Sequence, residues 1–158
     1  MTKQYMAKHK ALTFIVSCAF IGYIPPAPGT YASILGFLLV YCAYPVFGYI
    51  SFTAGFLFAI CFILFSILCI HLFTYEGRDP SYIVIDELAG CFVTMVGHRA
   101  TVFNLLVGFL LFRFFDIIKP PPIRTIERLG GAYGIVGDDI LAGIFANLGL
   151  VVVKIWMG

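Results

Sequence analysis

The sequence predicts an all-α fold: a polytopic membrane helical bundle of about five transmembrane helices, preceded by a short N-terminal helix that is re-entrant or interfacial. Three observations predict it. Of the 158 residues, 61% are hydrophobic and only 11% charged, whereas a soluble domain is about a quarter charged. Mean hydropathy is +1.01. Apolar segments recur along the whole chain, at 11–24, 31–50, 52–73, 83–97, 101–118 and 138–157, without the alternation a membrane barrel needs. Since a span takes about 20 apolar residues, there is room for one integral-membrane domain over 1–158 and for no separate soluble one.

The first segment, Ala11 to Ile24, follows Lys3, Lys8 and Lys10 like the front of a signal peptide. Pro25, Pro26 and Pro28 close it in place of a small-x-small cleavage site, so it is read as retained. It is short for a span. Pro25 to Gly29 is a rigid turn opening the second segment. Tyr75 to Ser81 and Gly97 to Ala100 are polar loops, and residues 119–137, rich in proline and glycine, are the long loop. Cys18, Cys42, Cys61, Cys69 and Cys91 lie in apolar runs with no C-x-x-C pair and read as small buried hydrophobes. A net charge of +2, with no arginine-rich arm or zinc-finger spacing, excludes nucleic acid as a partner.

Alternating helices bring the loops at 25–30, 74–82 and 119–137 to one side of the membrane. All eight acidic residues (Glu76, Asp79, Asp86, Glu87, Asp116, Glu127, Asp138 and Asp139) lie in or close to the second or third of these loops. If the first segment does not cross, Lys3, Lys8, Lys10, Arg78, Lys119, Arg124 and Arg128 share that face, against Arg99 and Lys154 on the other. Positive residues stay inside. The expectation is therefore a cytoplasmic site and N-terminus, and an external C-terminus.

Ile83-Val-Ile-Asp86-Glu87 puts two carboxylates near the start of an apolar helix. Capping needs one at most, and Asp79 or Ser81 could supply it. Arg113, Asp116 and Lys119 repeat at i, i+3, i+6 on one helical face. They read either as an ion-pair ladder or as a metal ligand flanked by two cations for phosphate oxygens. Asp138 and Asp139 open the last apolar helix, and adjacent like charges call for a divalent counter-ion. Pro28-Gly-Thr30-Tyr-Ala-Ser33 begins a helix with hydroxyls and amides suited to an anion, or simply forms a turn and N-cap. Hard oxygen ligands favour Mg2+; His9, His71 and His98 sit poorly as ligands. Carboxylates gathering magnesium beside cations suit phosphoryl chemistry. The cysteinyl-phosphate, Asp-x-Asp and Ser-Gly-His phosphatase patterns are all missing.

Pro28-Gly29-Thr30-x-x-Ser33, Asp79-Pro80-Ser81-x-Ile83-Val84-Ile85-Asp86-Glu87-x-x-Gly90, Phe112-Arg113-x-Phe115-Asp116-Ile117-x-Lys119-Pro120-x-Pro122-Ile123 and Gly137-Asp138-Asp139-x-x-Ala142-Gly143 together resemble the phosphatidylglycerophosphatase A family. The motifs keep the family's order from Pro25 to Asn147. Ile85 and Pro121 stand where many members carry an aromatic residue, a departure that touches packing or lipid fit. The resemblance implies a magnesium-dependent enzyme of the bacterial inner membrane that hydrolyses phosphatidylglycerophosphate to phosphatidylglycerol and inorganic phosphate. Asp86, Glu87, Asp116 and Asp138 or Asp139 then hold magnesium, and Asp79 is a ligand or water-orienting base. Arg113 and Lys119 hold the terminal phosphate, supported by Thr30 and Ser33, while the acyl chains lie among bilayer lipids. Two other classes compete. A CDP-alcohol phosphotransferase needs a second aspartate where Ala142 stands. An ion- or proton-coupled transporter needs carboxylates near mid-membrane. The sequence leaves oligomeric state, metal count and acyl preference open.

Overall fold

The computed structural model describes residues 3–47, 52–73 and 80–157. These residues form helices and turns, with no strand among them: α1 (Lys3–Val16), a 3-10 turn at Ile21–Tyr23, α2 (Pro28–Phe47), α3 (Phe52–Leu72), α4 (Ile85–Met95), α5 (Val102–Ile118), α6 (Ile123–Glu127) and α7 (Gly131–Met157). The all-helical expectation is met. Two helices, α3 and α7, are long and apolar enough to cross a membrane, and the apolar stretch Pro28–Tyr44 of α2 is somewhat shorter.

The short helix α4 is the centre of the bundle. Ile85, Leu88, Ala89, Gly90, Cys91, Thr94 and Met95 are all buried, between α2, α3 and α7. Phe37, Cys91, Phe112, Ala142, Ala146 and Leu150 make one apolar cluster; Val16, Ile70, Phe73, Ile83 and Val136 make another nearer the α1 end. Buried hydroxyls are satisfied within their own helices: Ser33 donates to Gly29 O (2.7 Å), Ser66 to Phe62 O (2.9 Å) and Thr94 to Gly90 O (2.8 Å). Outward faces are apolar as well. Phe56, Leu64, Leu68, Leu106, Leu110, Ile117, Val152 and Ile155 are exposed, a larger apolar surface than a soluble monomer presents.

Glycines set the closest approach. A Cβ on Gly143 would lie 2.6 Å from Gly90 O, and one on Gly90 would lie 2.8 Å from Asp139 O. So α4 and α7 cross backbone against backbone. Asp86 is four residues before Gly90 and Asp139 four before Gly143, so the crossing brings both acids to the same level one turn away.

The sequence differs from the structure at 119–137. The expected long loop contains α6 and the first two turns of α7. Proline and glycine there read as breakers, but Pro122 stands just before the first residue of α6, a place proline tolerates. Gly134 and Gly137 are packing glycines: added Cβ atoms would meet Glu127 O at 3.1 Å and Ile126 Cγ2 at 2.6 Å. The expected turn at 25–29 is shorter in the structure, because α2 already begins at Pro28, and the chain approaches it through left-handed residues Cys18, Ala19 and Phe20.

Candidate active site

At one end of the bundle a cleft of about 210 Å³ opens between Ala27, Pro28, Gly29, Ser81, Ile83, Asp86, Glu87, Arg113, Asp116, Lys119, Asp138 and Asp139. Segments far apart in sequence meet here, as the loop parity predicts. Asp79, with Glu76 and Arg78, lies outside the described residues.

Within the cleft, Asp86, Glu87 and Asp139 each offer a carboxylate oxygen, all within 4.8 Å of one another. Asp86 and Asp139 are buried and Glu87 is largely so. Glu87 Oε2 is buried with no hydrogen-bond partner among the described residues. Three carboxylates gathered this closely repel unless a cation or protons sit among them. Capping does not explain them. The N-cap of α4 is Val84, and Asp86 and Glu87 fall in the first turn; Asp139 lies about two turns inside α7. The expectation that Asp138 and Asp139 open the last helix is corrected accordingly, since α7 begins at Gly131.

Asp138 faces another partner. Lys119 Nζ donates to Asp138 Oδ2 at 2.7 Å and to Glu127 Oε1 at 2.9 Å, while Asp138 Oδ1 accepts from the Asp139 amide at 3.0 Å. Of the two alternatives left open by the sequence, Asp139 joins the cluster and Asp138 anchors the lysine. Burial opposes the Lys119 charge, but Asp138 and Glu127 outweigh it and raise its pKa. Lys119 reaches them because its backbone is left-handed, φ 47°, at the end of α5. A non-glycine residue pays strain for that conformation, and here it turns the side chain toward α7.

Arg113 ion-pairs with Asp116 one turn away and lies 3.4 Å from Ser33 Oγ. Its Nε is buried without a partner among the described residues. Asp116 shares the cleft wall with Asp139, so the arginine's ion-pair partner stands beside the acidic cluster. Ser33 is fully buried behind Arg113 and is absent from the cleft wall. Thr30 does not line the cleft either. The amides of Thr30 and Tyr31 are bonded to Ala27 O at 3.0 and 3.3 Å, so they are not open to an anion. What α2 contributes is Gly29, whose missing side chain leaves room for Glu87 Oε1. Glu127 was counted among the site-side acids but given no role; α6, unseen in the sequence, is what brings it to Lys119.

An all-helical bundle with three clustered carboxylates, an arginine and a lysine around one cleft defines a polar candidate site on an apolar scaffold. The chain belongs to the phosphatidylglycerophosphatase A family, whose model matches residues 14–154, and it is a phosphatase. It is similar to a phosphatidylglycerophosphatase A of Haemophilus influenzae, 37% identical over 86% of this chain and 84% of the relative. A putative phosphatidylinositol-3-phosphatase of Bacteroides thetaiotaomicron is 30% identical over 86% and 88%. The phosphatidylglycerophosphatase A of Escherichia coli is 29% identical over 79% and 73%. No solved structure matches the chain.

Proposed function

We propose that this chain is a magnesium-dependent lipid phosphatase that hydrolyses phosphatidylglycerophosphate to phosphatidylglycerol and inorganic phosphate at the cytoplasmic face of the inner membrane. The observation that carries the reading is the meeting of Asp86, Glu87 and Asp139 within 4.8 Å, in a cleft shared with Arg113 and Lys119. The two 29–37% identical relatives named for this activity support the substrate.

The donor set fits a hard divalent ion: it is all oxygen, and Glu87 Oε2 is buried with no hydrogen-bond partner among the described residues. Asp86, Glu87 and Asp139 would hold magnesium, with Asp116 beside Asp139 and Asp79 as a further ligand or water-orienting base. When bound, the ion polarises phosphoryl oxygens and lowers the cost of activating water. Arg113 presents a planar fork to the terminal phosphate, held in place by Asp116 and Ser33. Lys119 adds a point charge, and the carboxylates orient the attacking water. The diacylglycerol tails lie against the apolar outer faces of the bundle. In this arrangement α2, α3, α4, α5 and α7 cross the bilayer and α1 stays at the interface, giving five crossings.

The test is phosphate release by purified protein from phosphatidylglycerophosphate, with magnesium and with chelator, alongside phosphatidylinositol 3-phosphate because of the Bacteroides relative. Asp86→Asn and Asp139→Asn are expected to lower kcat/KM by at least about 10²-fold. Full activity in either variant, or activity indifferent to chelator, overturns the metal-site assignment. Preference for the phosphoinositide overturns the substrate.

A further inference from the structure

A second cavity is remote from the carboxylates. It measures about 650 Å³ and lies between α2, α3 and the far end of α4, walled by Leu39, Phe58, Phe62 and Phe92 and open toward His98 and Arg99. From Asp86 to Val96 the helix rises about 15 Å, so the cavity occupies the other half of the bundle. Gly55 lines it, and a Cβ there meets nothing within 4 Å.

The charge at its mouth is unbalanced. Arg99 is exposed and makes no salt bridge among the described residues, and every described carboxylate lies at the opposite end. His98 Nδ1 is 2.7 Å from Lys154 Nζ. A lysine ammonium has only donors, so Nδ1 must accept and the ring proton sits on Nε2. That Nε2 is buried and forms no hydrogen bond of good geometry among the described residues, and Asn147 lies beside the ring. Burial and the Lys154 charge lower the His98 pKa, which keeps the ring in this neutral, donating form. An apolar slot thus ends beside an exposed guanidinium that has no carboxylate partner, close to the His98–Lys154 pair.

We propose that this cavity is a binding site for one anionic phospholipid of the leaflet opposite the active site, with an acyl chain between Phe58, Phe62 and Phe92 and the phosphate at Arg99. Size, an apolar lining and a few convergent polar groups are what a lipid-chain pocket requires, and basic pockets between membrane helices take anionic head groups. The site rests on the membrane-spanning reading above, but not on the reaction catalysed. Its occupant is neither substrate nor product: the cavity is separated from the cleft by the packed middle of α4.

The experiment is native mass spectrometry of the full chain in detergent, offered dioleoyl-phosphatidylserine, dioleoyl-phosphatidylcholine or inorganic phosphate. Phosphatidylserine is chosen because it has no phosphomonoester. One phosphatidylserine retained per chain, with neither phosphatidylcholine nor phosphate retained, is expected. Arg99→Gln should weaken retention about tenfold, the loss of one charge-assisted contact, and Gly55→Phe, whose ring fills the slot, should abolish it. Both variants should release phosphate from a short-chain substrate like the parent. Equal retention of phosphatidylcholine overturns the head-group assignment, and retention unchanged in Gly55→Phe overturns the cavity assignment. If Gly55→Phe instead raises KM for long-chain substrate alone and spares phosphatidylserine, the slot belongs to the substrate's tail. Failure of the proposed reaction would appear as no phosphate release from any substrate, leaving the lipid-retention result intact.

Discussion

Lys119 carries the most consequential single contact in the cleft. It links α5, α6 and α7 through Glu127 and Asp138, and the Asp138 side chain is only 5% exposed. Removing one partner of a buried pair leaves the other charged and desolvated, which costs more than the pair itself contributes. Lys119→Ala is therefore expected to destabilise the protein by about 3 kcal/mol, and Lys119→Ala with Asp138→Asn to recover most of that loss. Thermal unfolding in detergent measures both. The raised lysine pKa fixes the pH window. Stability from a raised pKa is fully present below the unfolded value, about 10.4, and disappears only as pH climbs through the folded one. The gap between parent and Lys119→Ala should thus not narrow between about pH 7 and pH 9; a gap that closes across that range would show that the lysine charge is not its source. The residue set was legible from the i, i+3, i+6 spacing. Its pairing was not, because Lys119 leaves the helix in a left-handed turn and its second partner arrives on a helix hidden among prolines and glycines.

The α4–α7 crossing converts two sequence motifs into one site. Asp-Glu-x-x-Gly and Asp-Asp-x-x-Ala-Gly each place an acid one turn before a small residue, and the small residues meet. Adding a methyl group there has no room: at Gly90 it would lie 2.8 Å from Asp139 O, and at Gly143 2.6 Å from Gly90 O. Gly90→Ala and Gly143→Ala should each cost about 1–3 kcal/mol by overpacking. They should also lower kcat, because the helices can separate only by moving Asp139 away from Asp86 and Glu87. Gly55→Ala is the control, with nothing within 4 Å of its Cβ; it should be neutral or stabilising by up to about 1 kcal/mol. Equal behaviour of all three variants in unfolding and turnover would mean that the crossing does not set the site. The acids themselves were readable as two pairs too many for capping. Which member of the second pair turns inward was not, since it depends on where α7 starts, and the glycines that extend it to Gly131 look like loop residues when their packing partner, α6, is unknown.

At the scale of the whole molecule, helix length alone does not display the five crossings proposed above. α3 and α7, at 21 and 27 residues, are long enough for a bilayer core of about 30 Å, whereas the 11 residues of α4 rise only about 16 Å. Irregular backbone is tolerated at membrane depth where protein buries it, and Ile83, Val84 and Ala100, flanking α4, are all buried. Asn147 supports the far end, donating to Val93, Thr94 and Val96 carbonyls at 3.3, 2.9 and 2.8 Å, so the helix end is satisfied without water. Composition foretold helices around an apolar bundle; it could not foretell that the central helix is half-length, because its completion is tertiary. The proposed topology turns on α1. Its 14 residues reach about 21 Å, short of a span, and Val16 O accepts from the Val84 amide at 2.9 Å, which ties its last turn to the start of α4 beside the cleft. In the proposed arrangement, with α1 at the interface, the chain crosses five times and its termini face opposite sides; with α1 crossing, it would cross six times and they would share a side. Reporter fusions to each end decide this. An exported alkaline phosphatase should be active at the C-terminus and inactive at the N-terminus, and a cytoplasmic fluorescent protein the reverse. Matching signals from the two ends would mean that α1 spans, and the basic N-terminal residues Lys3, Lys8 and Lys10 would then no longer share a side with the carboxylate cleft.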